Sequence, residues 1–205
     1  MNLVLDIGLG NIGSLLNMFR YLGIEARGGA SEADIASATR ILIPGVGSFD
    51  QGMRCMEQSG VIPLLRHRVL VDGIPLLGIC LGMQLLGSSS EEGTSRGLGL
   101  IPMHTVRFSF PKESSALRVP HMGWNECEPV GQGSLLDPVP APRRFYFVHS
   151  YHVVCDDPAD VSGLTHYGVP FASAIRRGNI FGVQFHPEKS HRYGMALLES
   201  FMLQH

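Results

Sequence analysis

The chain has 205 residues, 44% hydrophobic and 17% charged, which is ordinary globular composition and long enough for one domain (1–205) with a sizeable core. A net charge of −2 with scattered basic residues argues against nucleic acid, and the sequence holds no apolar run of the roughly 18 residues that a membrane span needs. Met1–Asp6 lacks a basic leader segment, and the four cysteines (Cys55, Cys80, Cys127, Cys155) form neither a C-x-x-C pair nor a disulfide framework, so a reduced, cytoplasmic protein without a zinc site is expected.

Asn2–Ile7 reads as a parallel strand, followed at once by Gly8, Gly10 and Gly13. That spacing matches a dinucleotide-binding fingerprint, with Glu25 or Glu32 as its acidic residue. Ser14–Leu22 carries Leu15, Leu16, Met18, Phe19 and Leu22 at helical spacing, closed by Gly23. Ile24–Ala26 is expected as a second strand, and Ser31 with Asp34 as a capping box before a short helix. Arg40–Ile43 is a buried strand that delivers Pro44-Gly45-Val46-Gly47, where the glycines let N–H groups turn inward or flip between states. Phe49–Leu70 is helical, interrupted at Gly60 and Pro63. Ile74–Ile79 is a short apolar strand, and Met83–Leu86 are good helix formers.

Thr105–Phe108 opens antiparallel material, with a polar turn at Pro111–Glu113. Pro120–Asn125 contains Trp124, the only tryptophan, and Phe145–Tyr151 alternates as a strand. His149 and His152, three apart on a strand, are expected on opposite faces rather than as a metal pair. Ile180–Phe185 reads as a strand and Tyr193–Leu203 as an amphipathic helix. Strand–helix alternation followed by strand-rich sequence predicts an α/β fold: an open, mostly parallel sheet with helices on both faces plus an antiparallel extension.

Two stretches carry chemistry. Gly78-Ile79-Cys80-Leu81-Gly82 places a cysteine where a strand turns into a helix, the G-x-nucleophile-x-G elbow with Cys for Ser. A helix N-terminus favours thiolate over thiol and offers N–H groups to an oxyanion. A lone cysteine in an apolar strand is ordinarily an inert small hydrophobe. What outweighs that reading stands near the C-terminus. His186 ends a strand, and Pro187 holds it extended, so His186 and Glu188 can lie side by side. Cysteine, histidine and carboxylate then form a nucleophile, a base and its orienter.

Those stretches, with Met83-Gln84 after the first and Gln184-Phe185 before His186, resemble the two signatures of class I glutamine amidotransferases. Gly8–Ile12, Pro44–Phe49, Pro120–Asn125 and Phe145–Tyr151 narrow the likeness to the glutaminase subunits of imidazole glycerol phosphate synthase, in that family's order from Val4 to Phe201. Under this resemblance the Gly8–Asn11 turn serves a different end, and the dinucleotide reading is dropped. The resemblance implies a flavodoxin-like sheet, no cofactor, and glutamine hydrolysis by Cys80, His186 and Glu188. It implies that Gly45, Val46 and Gly47 line the glutamine pocket and help form the oxyanion hole, with the Leu81 N–H as second donor, and that Gln84, Ser150 and Tyr151 hold the substrate.

The implied partner is a (β/α)₈ cyclase subunit, joined as a heterodimer, which takes ammonia through a tunnel and makes imidazole glycerol phosphate and an aminoimidazole carboxamide ribotide in histidine biosynthesis. Asn11, Trp124 and Lys189 are the interface candidates. The sequence departs from the family at Ile7, where an aromatic is usual, and at His191, where a glutamine is usual. Three alternatives stay open: a paralogue that feeds ammonia to a synthase amidating surface-polysaccharide sugars, a stand-alone Cys–His hydrolase of γ-glutamyl compounds, and a non-enzymatic interaction module.

Overall fold

The computed structural model describes residues 1–110 and 117–204; the turn expected at Pro111–Glu113 lies outside the described residues. In chain order the first half runs β1 (Asn2–Leu5), α1 (Ile12–Tyr21), β2 (Ala26–Gly29), α2 (Glu32–Ser37), β3 (Arg40–Gly45), α3 (Phe49–Gln58), α4 (Ile62–Leu70), β4 (Leu76–Cys80) and α5 (Leu81–Leu85). The second half is strand-rich: β5 (Ser89–Ser90), β6 (Met103–Arg107), β7 (His121–Glu126), β8 (Glu128–Pro129), β9 (Arg144–His149), β10 (Tyr151–Cys155), β11 (Val161–Tyr167), β12 (Val169–Arg177) and β13 (Ile180–Val183), closed by α6 (His191–Met202).

Alternation along the strands separates two cores. Leu3, Leu5, Ile41, Ile43 and Leu76 join Phe49, Met53, Leu65 and Val69 of α3 and α4 on one face. Val4, Leu42, Leu77 and Ile79 join Leu15, Phe19, Leu197 and Phe201 of α1 and α6 on the other. Strands buried on both sides in this way need helices on both sides. The strand order β2-β1-β3-β4-β13 is parallel throughout. Antiparallel β12, β10 and β6 extend it, while β7 pairs with β9 as a separate two-stranded sheet. The order reverses between β1 and β3, so the chain leaves those two strands toward opposite faces and opens a crevice at their carboxyl ends.

Local departures from the expected elements have local causes. The second strand begins at Ala26 rather than Ile24, because the N–H groups of Leu22, Gly23 and Ile24 still bond back to Met18, Arg20 and Phe19 and close α1. Ser31 and Asp34 form the expected capping box on α2. Gly60, at φ +69°, separates α3 from α4, but Pro63 lies in the first turn of α4 and starts that helix instead of breaking it. The strand expected over Phe145–Tyr151 bends at Ser150 and becomes β9 and β10.

No helix among the described residues is long and apolar enough to cross a membrane.

Candidate active site

β4 passes directly into α5 at Cys80, whose φ of +55° and ψ of −113° are rare for a residue with a side chain. Such a conformation costs roughly 1–3 kcal/mol and persists only where its surroundings enforce it. Close packing supplies that enforcement. A Cβ on Gly82 would lie 1.8 Å from the Ile43 carbonyl oxygen, and one on Gly78 would lie 2.7 Å from the Gly82 oxygen. A Cβ on Gly45 would lie 2.8 Å from the Gly82 nitrogen. β3, β4 and α5 therefore meet backbone to backbone beneath the cysteine.

His186 follows β13, the neighbour of β4 on the side away from β3. Its Nδ1 lies 2.7 Å from Oε1 of Glu188. The two side chains meet as expected, but Pro187–Lys189 forms a 3₁₀ turn in place of an extended segment, so the turn brings the carboxylate round. Nε2 of His186 is buried and has no hydrogen-bond partner among the described residues, which leaves it free to meet a nucleophile or leaving group. Burial opposes charge on this ring, but the Cys80 sulfur and the Glu188 carboxylate outweigh burial and raise its pKa to about 9.

A cleft of about 320 Å³ brings together Val46, Gly47, Cys80, Leu81, Gln84, Ser150, Tyr151 and His186. It is also lined by Glu92, Pro120 and His149. Gly45 lies behind it, packed on α5. Two expected roles differ in detail. The Val46 N–H donates to the Leu9 carbonyl at 2.6 Å, so in this conformation it cannot serve an oxyanion. Val46 is 52% exposed and Gly47 stands at φ +109°. The Gln84 amide does not reach freely over the pocket: its Nε2 donates to the Tyr151 carbonyl at 3.2 Å and to Gln184 Oε1 at 3.0 Å.

Sequence reading missed Gln184, whose Nε2 donates to the Cys80 sulfur at 3.6 Å. Its signal was there to be found: a glutamine inside an apolar strand, two residues before His186, is polar where burial is expected. The placement of His149 and His152 on opposite faces also fails. The bend at Ser150 sets both rings against Phe108, at centroid distances of 5.2 and 4.7 Å. His149 in turn pairs with buried His121 at 3.0 Å.

Two of the interface candidates, Trp124 and Lys189, flank the same tyrosine ring. Trp124, on β7, is 41% exposed and stacks on His191 at 5.5 Å. Lys189 Nζ sits 5.8 Å above the Tyr146 ring, which lies 6.2 Å from Trp124. Asn11 caps α1, its side chain accepting from the Ser14 N–H at 3.2 Å.

A doubly wound sheet with a cysteine elbow facing a His–Glu pair is the architecture of a triad amidotransferase. The sequence matches the family model "Glutamine amidotransferase class-I" over residues 3–205, and the chain belongs to that family. It is 45% identical over 202 residues to imidazole glycerol phosphate synthase subunit HisH 2 of Pseudomonas aeruginosa, covering 98% of each chain. It is 46% identical over 201 residues to the subunit of the same name in Methanococcus maripaludis, again covering 98% of each. Among solved structures, PurLQS from Thermotoga maritima superposes with a TM-score of 0.73 at 16% identity, over 98% of this chain and 96% of that one. A glutamine amidotransferase crystal structure superposes with a TM-score of 0.69 at 18% identity, over 98% and 99%. At those identities the structures speak for the fold alone.

Proposed function

We propose that this chain is the glutaminase subunit of an imidazole glycerol phosphate synthase and passes ammonia to a (β/α)₈ cyclase subunit in a heterodimer. The full-length likeness to subunits of that name supports the assignment. The observation that carries the chemistry is the strained Cys80, in one cleft with a His186 that Glu188 orients at 2.7 Å.

In this reading the imidazolium form of His186 already holds the proton, and the Cys80 sulfur attacks the side-chain carbonyl carbon of glutamine. The tetrahedral oxyanion draws on the Leu81 N–H and on an N–H of the Val46–Gly47 strip. His186 delivers its proton to the departing nitrogen, the C–N bond breaks, and ammonia leaves with a thioester at Cys80. Water, activated by the now neutral His186, attacks the thioester and releases glutamate. Glu188 keeps Nδ1 engaged and stabilises the ring when charged. Losing one oxyanion donor typically costs about 2.7–4 kcal/mol of barrier. The Val46 N–H is withheld on Leu9 at rest, and rotation of that peptide when the partner binds its ribonucleotide would release it.

The test is glutamate release from glutamine by the chain alone, with its organism's cyclase subunit, and with that subunit plus its ribonucleotide. A large rise only in the last condition is expected. Full activity without the partner would overturn the gated strip.

A second reading keeps the chemistry but changes the acceptor to a synthase that amidates surface-polysaccharide sugars. His191 favours it: this departure from the family pattern stacks on Trp124, on the surface assigned here to the partner. A reactive Cys80 that ignores the cyclase would support this reading over the first.

A further inference from the structure

We propose that Gln184 is a further residue of the glutaminase centre: its side-chain amide donates to the reacting sulfur, and hydrogen bonds anchored on the Tyr151 carbonyl fix which end of the amide faces that sulfur. The proposal rests on Cys80 being the nucleophile.

Gln184 is fully buried, with Nε2 at 3.6 Å from Cys80 Sγ and Oε1 at 3.0 Å from Gln84 Nε2. An amide can be built either way round, so its direction needs an independent anchor. The Tyr151 carbonyl is that anchor, since it can only accept. Gln84 meets it at 3.2 Å, so the group Gln84 presents there is its nitrogen. The same nitrogen faces Gln184, whose oxygen must therefore receive it. The remaining Gln184 group, the N–H, is left to face the sulfur.

The carbonyl also accepts from His149 Nδ1 at 2.7 Å. That contact fixes His149 as the Nδ1–H tautomer, leaving its Nε2 as an acceptor. His121 Nδ1, 3.0 Å away, must then donate, and His121 Nε2 accepts from Asn125 Nδ2 at 3.3 Å. The Asn125 amide is itself held, its oxygen accepting from the Glu126 N–H at 2.8 Å and its nitrogen donating to His166 at 3.0 Å. Neutral rings are required for this order. Burial keeps them neutral, lowering His149 to about 3 and His121 to about 4. Two consistent runs of donors thus meet on the Tyr151 carbonyl, one from Asn125 through His121 and His149, the other from Gln84, which also donates to Gln184 and so sets the N–H that faces the sulfur.

An N–H aimed at sulfur stabilises the thiolate more than the thiol and holds one rotamer. It acts before attack and again when the thioester is cleared.

The experiment follows iodoacetamide alkylation of Cys80 by peptide mass spectrometry from pH 5 to 10, in the full chain, for wild type, Gln184→Leu and Gln184→Met. Glutamate release is measured on the partner complex in parallel, and near-UV circular dichroism shows which variants are folded. Both variants lack the donor, and Met keeps the unbranched length. Alkylation at pH 7 is expected to fall about tenfold, with its pH midpoint moved up by about one unit. Gln184→Glu, which sets a carboxylate against the thiolate, is expected to fall further. An unchanged profile in a folded Leu or Met variant overturns the inference. If instead the wild-type complex releases no glutamate while Cys80 alkylates normally and responds to Gln184, the cyclase-partner reading fails and the inference stands.

Discussion

On one side of the cleft Cys80 is wedged between β4 and α5, with three glycines at backbone contact beneath it and a His186 beside it whose pKa Cys80 and Glu188 raise against burial. On the other side Val46 is half exposed and its N–H is committed to Leu9, in a strip whose next residue stands at positive φ. The first side tolerates almost no movement, because its atoms have nowhere to go. The second can exchange one hydrogen bond for another by turning a peptide. On the proposed mechanism, attack and charge stabilisation are therefore separable: the groups proposed for attack are held in place, while one proposed oxyanion donor depends on a local rearrangement. A glutaminase arranged in this way would not hydrolyse glutamine before a partner could receive the ammonia.

The largest expected effect tests the assembled side. Cys80→Ala should lower partner-stimulated glutamate release by more than about a thousandfold while the complex still forms. Retained activity would remove the elbow from the mechanism. Val46→Pro deletes the mobile donor, and stimulated release should fall about 100- to 1,000-fold. Iodoacetamide should still alkylate Cys80 at the wild-type rate, since the other side is untouched. If both fall together, the two sides are one unit and the contrast breaks.

Gly82→Ala probes rigidity directly. Its Cβ would sit 1.8 Å from the Ile43 oxygen, so denaturant unfolding should show a loss of about 3 kcal/mol or more. A near-neutral result would mean that the elbow yields. The smallest effect concerns pH. His186 is raised from 6.5 to about 9, so its contribution to stability is fully present below pH 6.5 and fades as pH rises through about 9. Thermal unfolding of Glu188→Gln should lose part of that slope, narrowing the difference between pH 6.5 and 9.5 by about 2–4 °C. His121 and His149 act in the opposite direction. Their lowered values mean stability is present above pH 6.5 and lost as pH falls toward about 4 and about 3.

Much of this site was legible before any coordinates. The elbow announced itself because a strained turn needs glycine at fixed short spacing, and His186 and Glu188 because a proline stands between them. Even there the route differed, a 3₁₀ turn doing what an extended segment was expected to do. The bend at Ser150 left no comparable mark. A single serine inside an alternating run is compatible with an unbroken strand, so the meeting of His149 and His152 on Phe108 could not be read from spacing.

What depends on neighbours along the chain was readable from the sequence alone: the doubly buried strands, the capping box, the cysteine at its turn and the histidine beside its carboxylate. The direction of the Gln184 amide, the tautomers of His121 and His149, and the contact of the Val46 N–H with Leu9 came from the folded chain. The cause is distance along the chain. Gln184 and Cys80 are 104 positions apart and His121 and His149 are 28 apart, and a hydrogen bond's direction is set by whichever group the fold places opposite.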